Sequence, residues 1–185
     1  MARVIYEFDA PDRCVIGTVG QPGSRTFYLQ ARAGRRVATV AVEKAQAAAL
    51  AERLEELLDE VVRRSGGAAP VPAVAPAELD DDAPLEQPLV EDFRAGAMAL
   101  GWDGERSQVV IEAQALTDEE DDVDFIDDET DGPPLLRVHL SGAMARALAK
   151  RAATVVAAGR PPCPFCGQPL DPSGHLCPRA NGYHR

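Results

Sequence analysis

Three cysteines and a histidine fall within fifteen residues of the C-terminal stretch Cys163-Pro-Phe-Cys166-Gly-Gln-Pro-Leu-Asp-Pro-Ser-Gly-His175-Leu-Cys177. No other segment restricts the fold so strongly. The C-x-x-C pair with Gly167 behind it makes a tight turn that aims two thiolates at one metal, and backbone amides in that turn offset their charge. His175 and Cys177 then supply the remaining two ligands of a zinc ion, with Asp171 and His184 as rivals of His175 for the fourth position. Four protein ligands leave no open position for a substrate, so the expected zinc is structural. A thioredoxin-like redox pair is the competing reading of C-x-x-C. Such a pair opens a helix, whereas Gly167, Pro169 and Pro172 work against one here.

The compartment bears on the same cysteines. Met1 runs directly into the strand-like Ala-Arg-Val-Ile-Tyr-Glu-Phe, and no long apolar run follows. The reading is therefore a protein with no signal peptide and no membrane span, placed in the cytoplasm. A reducing cytosol favours metal binding over a disulfide. Cys14 lies alone in a strand-like segment and reads as a small buried hydrophobe. Hydrophobic residues make up 45% of the 185 but aromatics only 5%, so the core must rest on Ala, Val and Leu.

Charge is unevenly spread. Residues 65–92 hold seven acids and no base, and residues 118–131 hold ten acids and no base. Removing these seventeen charges from the net −11 leaves the rest of the chain at +6. The simple reading is solvated acidic loops, and the sharper one is a basic surface masked by the chain's own acids. The second run lacks the alternating ligands and central glycine of an EF-hand, which argues against calcium.

Two nonamers, Ala45-Gln-Ala-Ala-Ala-Leu-Ala-Glu-Arg53 and Ala143-Met-Ala-Arg-Ala-Leu-Ala-Lys-Arg151, lie 98 positions apart and agree at six of nine positions. Each follows a strand-like run, Val37–Val42 and Leu135–Leu140. Further period-two segments precede both: Val4–Phe8, Cys14–Val19 and Thr26–Gln30, then Phe93–Trp102 and Gln108–Leu116. Gly34 and Gly104 are the expected hairpin glycines, each supplying a positive φ. The first helix, near 43–64, puts Leu50, Leu54, Leu57, Leu58 and Val61 on one stripe and stops at Ser65-Gly66-Gly67. The second takes Ser141 as N-cap, turns Met144, Leu148, Val155 and Val156 inward, and ends at Gly159.

The expected fold is α+β: duplicated antiparallel sheet-plus-helix units followed by a zinc ribbon-like module. Residues 1–64 form the first unit, 65–92 a flexible acidic Pro/Ala-rich linker, and 93–159 the second unit with an acidic loop at 118–134. Residues 160–185 form the zinc-binding tail.

Catalytic signatures are missing. There is no Walker-type phosphate loop, no G-x-S-x-G elbow, no H-E-x-x-H and no dinucleotide fingerprint. His139 in a strand reads as a half-buried imidazole, and Trp102 as packing at a hairpin end. The tail sequence through Arg-Ala-Asn-Gly-Tyr183, with Thr26-Phe-Tyr-Leu-Gln-Ala31 and Phe93-Arg-Ala-Gly-Ala-Met-Ala-Leu-Gly-Trp102, resembles an actinobacterial conserved-hypothetical family, the domain of unknown function numbered 3090. The resemblance covers the whole chain. It implies an actinobacterial source and carries no assigned activity.

The functional expectation is a zinc-containing binding or adaptor protein with a protein partner. Its recognition surface is the tail with Arg160, Arg179, Arg185 and Asn181-Gly182-Tyr183. Two alternatives stand beside it: an enzyme or small-ligand protein using the cleft between the repeats, and a nucleic-acid-binding protein masked by its acidic segments.

Overall fold

A computed structural model describes residues 3–117, 131–170 and 174–180. The strand-like runs become β1 (Ile5–Asp9), β2 (Arg13–Val19), β3 (Thr26–Ala33), β4 (Arg36–Val42), β5 (Phe93–Asp103), β6 (Gln108–Ala115) and β7 (Leu135–Ser141). The helices are α1 (Lys44–Arg64) and α2 (Gly142–Ala157), the latter capped by Ser141, whose hydroxyl accepts from the Met144 N–H at 3.2 Å. No helix among the described residues is long and apolar enough to cross a membrane.

The strands form one mixed seven-stranded sheet in the order β1-β7-β6-β5-β4-β3-β2. The expected antiparallel units are thus joined, with parallel pairing at β1/β7 and β4/β5. Three antiparallel strands followed by a helix occur twice, as β2–β4 with α1 and β5–β7 with α2.

Connectivity forces this sheet to curl. Laid flat, its edge strands β1 and β2 would stand about 29 Å apart at about 4.8 Å per strand spacing. They are nevertheless joined through residues 10–12 alone, a link that spans about 15 Å at most. The curl brings β1 over the other end of the sheet, where the Arg36 guanidinium carbon sits 4.2 Å from the Phe8 ring centroid. Phe8, Ile16, Leu29, Val40, Ile111 and Leu136 line the enclosed core.

The helices close that core. α1 buries Ala47, Leu50, Ala51, Leu54, Leu58 and Val61, nearly the expected stripe, with Leu57 at its margin. α2 differs from expectation: its buried apolar residues are Ala145, Leu148, Ala149 and Ala152, while Met144, Val155 and Val156 pack at the rim. Facing alanines let the two helices approach closely, which large side chains on both would prevent.

Residues 65–92 depart furthest from the sequence reading. A flexible linker without regular structure was the expectation. Instead the stretch carries a 3-10 turn at Ala77–Leu79 and is strapped along α2 and across β2 and β3. Arg151 donates to Ile16 O, Asp81 O and Ala83 O, and Lys150 pairs with Asp80 at 2.6 Å. Arg13 grips the Asp81 carboxylate at 2.6 and 2.9 Å and also donates to Ala83 O and Pro84 O. The Arg13 hydrogen bonds hold the Asp81 carboxyl below the usual carboxylate range. Buried Gln30 meets the backbone of Glu86 in both directions, and Leu85 packs where Gly17 has no side chain. Asp80, Asp81 and Glu86, which looked like solvated charge, are counter-ions to cations distant in sequence.

Gly142 sets the closeness of that strap. A Cβ there would lie 2.8 Å from Val71 Cγ2 and 2.9 Å from the Pro70 carbonyl oxygen. Gly142→Ala is expected to lever residues 70–72 away from α2. Such overpacking costs about 1–3 kcal/mol, against at most ~1 kcal/mol that alanine gains over glycine in a helix. Hydrogen exchange should show faster exchange at residues 68–74, and unchanged protection there would refute the contact as a constraint.

The hairpin between β5 and β6 also corrects a detail. Its positive φ falls at Ser107 (53°) rather than at Gly104, because Asp103 Oδ1 gathers the Glu105 and Arg106 N–H groups at 3.0 Å and shapes a four-residue loop. Gly34, with φ 58°, behaves as expected. Most of the second acidic run, residues 118–130, lies outside the described residues.

Candidate metal centre

The tail after α2 has little core of its own, and its order comes from short-range bonds. Cys163 N–H donates to Gln168 O at 2.7 Å, Gly167 N–H to Cys163 O at 2.8 Å, and Leu170 N–H to Pro161 O at 2.8 Å. Gly167 takes φ +75°, a conformation that a side chain disfavours, and so closes the Cys163–Cys166 knuckle. Pro162 and Pro169 form a single antiparallel bridge beneath it.

This turn and the His175-Leu-Cys177 segment face each other. The ligand atoms of Cys163, Cys166, His175 and Cys177 all lie within 4.8 Å of one another. Cys163 Sγ is 3.8 Å from Cys177 Sγ, and Cys166 Sγ is 3.4 Å from His175 Nε2. A disulfide needs about 2.05 Å, so the thiols are free. The four residues are placed to bind a metal ion. Cys163 and Cys177 are buried, Cys166 and His175 half-buried. Hydrogen bonding from His175 pulls the Cys177 thiol down to about 6, which favours the thiolate that metals require.

The rival ligands Asp171 and His184 lie outside the described residues, as do Asn181-Gly182-Tyr183 and Arg185. Arg179 is described, and it donates to Phe165 O at 3.3 Å. The sequence reading missed what stands around the metal ligands: Phe165 is 63% and Leu176 88% exposed. Their signal was available, since each is a large apolar residue set between two candidate ligands.

The other singled-out residues are dispersed. Cys14 sits in the core, where burial pushes its thiol up to about 12, an inert group. His139 is buried on the β7 face, 3.0 Å from Glu7 Oε1 and 3.5 Å from Arg106 Nη1. Trp102 packs against the core from β5. The seam between the two strand sets is closed by direct β4/β5 pairing. Beside it, a groove between α1 and β5 is lined by Gln46, Leu50, Leu57, Met98 and Leu100.

A family model described as protein of unknown function, DUF3090, matches residues 6–177, from β1 to the last cysteine of the cluster. The chain belongs to that family. No curated protein and no solved structure is similar enough to match.

Proposed function

We propose that this member of the DUF3090 family is a cytoplasmic binding or adaptor protein whose C-terminal zinc ribbon-like module recognises a protein partner. Zinc is the metal that best suits the donor set. Three thiolates and an imidazole are a soft four-ligand set, and a tetrahedral zinc site has ligand-to-ligand edges of about 3.8 Å for S···S and about 3.5 Å for S···N. The distances of 3.8 and 3.4 Å fit those edges. Zinc bound there would fix the two knuckles relative to each other, with all four positions filled by protein. The repeated order of three strands and a helix supports an internal duplication of the body that carries this module.

The observation that carries the recognition reading is the exposure of Phe165 and Leu176 on the rim of the cluster. Exposed large apolar side chains beside an arginine match the composition of interface centres. The test is affinity capture from the source cell with wild type, Phe165→Ser/Leu176→Ser, and Cys163→Ser. A partner captured by wild type and lost from the double surface variant, with one zinc per chain kept in native mass spectra, supports the reading. A partner that stays with both variants sinks it.

A further inference from the structure

We propose that the body carries a docking site apart from the metal centre: a groove between α1 and the free edge of β5, where an extended segment of a partner protein adds as a further strand. β5 is the longest strand, yet β4 pairs with it only at Phe93 and Arg94. Beyond them a break in register between Ala95 and Met98, at Gly96, bends β5 away from β4. α1 runs on in the place that β4 has left, with Gln46 level with Ala95 and Gly96, and Leu57 level with Trp102.

Over residues 97–103 the β5 backbone has β6 on one side and, among the described residues, no hydrogen-bonding partner on the other. Alternate residues turn an N–H and a C=O to that edge. Each of the seven is half-buried, so neither helix nor strand covers the stretch. Exposed sheet edges are ordinarily guarded by charge or proline, and residues 97–102 contain neither.

The opposite wall supplies an independent sign. The groove measures about 830 Å³, is lined by Leu50, Leu57, Met98 and Leu100, and continues at Leu57 into a cavity of about 580 Å³ beside Trp102. It follows α1 from Gln46 to Glu60, about 21 Å, the length of about six extended residues. Arg53 and Glu56 stand on this wall, both exposed and, among the described residues, without a hydrogen bond or ion pair, whereas Glu60 is engaged by Arg63 and Arg64. An added strand has two backbone edges. One pairs with β5, and the other faces α1, where the Arg53 guanidinium donates to a carbonyl and the Glu56 carboxylate accepts an N–H. Gln46 already serves β5 in this way, its Nε2 donating to Gly96 O at 2.8 Å. One cation and one anion, neutral in sum, complement a peptide backbone, which offers acceptors and donors without net charge.

The two walls also select the occupant. A strand whose far edge faces α1 cannot carry a sheet of its own, which excludes a second copy's β5 with β6 attached. A docked helix would leave the β5 edge unpaired. The occupant is a single extended segment, apolar at alternate positions over Met98, Leu100 and Trp102.

Selection of random decapeptides displayed on phage against the full zinc-loaded chain tests the site. Recovered sequences should alternate apolar and polar residues, and a synthetic copy of the best one should bind in solution by fluorescence anisotropy. Methylating its backbone nitrogens one at a time should weaken binding about tenfold at every second residue, the loss expected for one hydrogen bond and the close fit around it. Arg53→Ala/Glu56→Ala should weaken it about tenfold with the melting temperature unchanged, while Phe165→Ser/Leu176→Ser should leave it intact. Failure to recover any peptide overturns the proposal, as does equal affinity in wild type and Arg53→Ala/Glu56→Ala. Losses at every third or fourth methylated position would mean a docked helix, and loss of the peptide with Phe165→Ser/Leu176→Ser would place it on the metal module; either result overturns strand addition to β5.

Discussion

With the proposed zinc bound, Cys163→Ser or treatment with a chelator is expected to unfold residues 161–170 and 174–180 and leave the seven-stranded body folded. Among the described tail residues only Cys163 and Cys177 are buried, while Leu170 is half-buried and Phe165 and Leu176 face outward. A segment of that size has no apolar core to offset the loss of backbone entropy. Structural zinc supplies about 10–16 kcal/mol of apparent binding in small modules, and that binding is the folding energy. The tail's backbone bonds, Cys163 N–H to Gln168 O and Leu170 N–H to Pro161 O, link tail residues to each other. Hydrogen exchange should therefore show both amides at unprotected rates in Cys163→Ser, with the β6 and β7 amides unchanged. Protection that persists in the metal-free tail would show that packing, and not metal, holds it. Collapse of β6 and β7 with it would show that the tail is part of the body's core.

The contrast between the tail and the strap shows what local sequence can and cannot carry. The four cluster residues were readable because their chemistry is local: a knuckle needs two cysteines, two spacers and a glycine, all within five residues. The strands and helices were readable for a related reason, since periods of two and of 3.6 are set by neighbours. Parallel pairing of β4 with β5 and of β1 with β7 is not a local property, and the curl of the sheet follows from that pairing. The strap misled for the same reason. Proline, alanine and acids in residues 65–92 describe a solvated linker until Arg13, Arg146, Lys150 and Arg151 are placed beside them, and only the fold does that.

Setting the two acidic runs aside leaves the rest of the chain at +6. Part of that excess is neutralised within the body, because Asp80, Asp81 and Glu86 of the strap pair with Lys150, Arg151, Arg13 and Arg32. These contacts include backbone carbonyls as well as carboxylates, so the strap is held as structure and not by charge alone.

Arg146 is the residue on which that structure most depends, and Arg146→Ala is expected to lower the unfolding free energy by about 2–3 kcal/mol. Its side chain is 3% exposed and lies where α1, α2 and the strap meet. It donates to Asp59 Oδ1 at 2.5 Å, to Glu55, and to the Pro72 carbonyl at 3.1 Å. Removing one member of a fully buried charge pair costs about 3–5 kcal/mol. Here Glu55 and Asp59 are 45% and 72% exposed, so water can solvate them once the arginine is gone, and the expected cost falls below that range. Truncation also leaves a cavity between two alanine-lined helices, which have few side chains able to fill it. Arg146→Met separates these contributions, because methionine occupies much of the volume without the charge. Urea denaturation of both variants is the measurement. A loss for Arg146→Met of about 1 kcal/mol, well short of that for alanine, would assign most of the effect to packing. Equal losses would assign it to the hydrogen bonds, and hydrogen exchange at residues 70–74 should then rise in both variants alike. If neither variant loses stability, Arg146 does not hold the strap to the helices. The charged contacts of Arg13, Arg32, Lys150 and Arg151 would then be what anchors it.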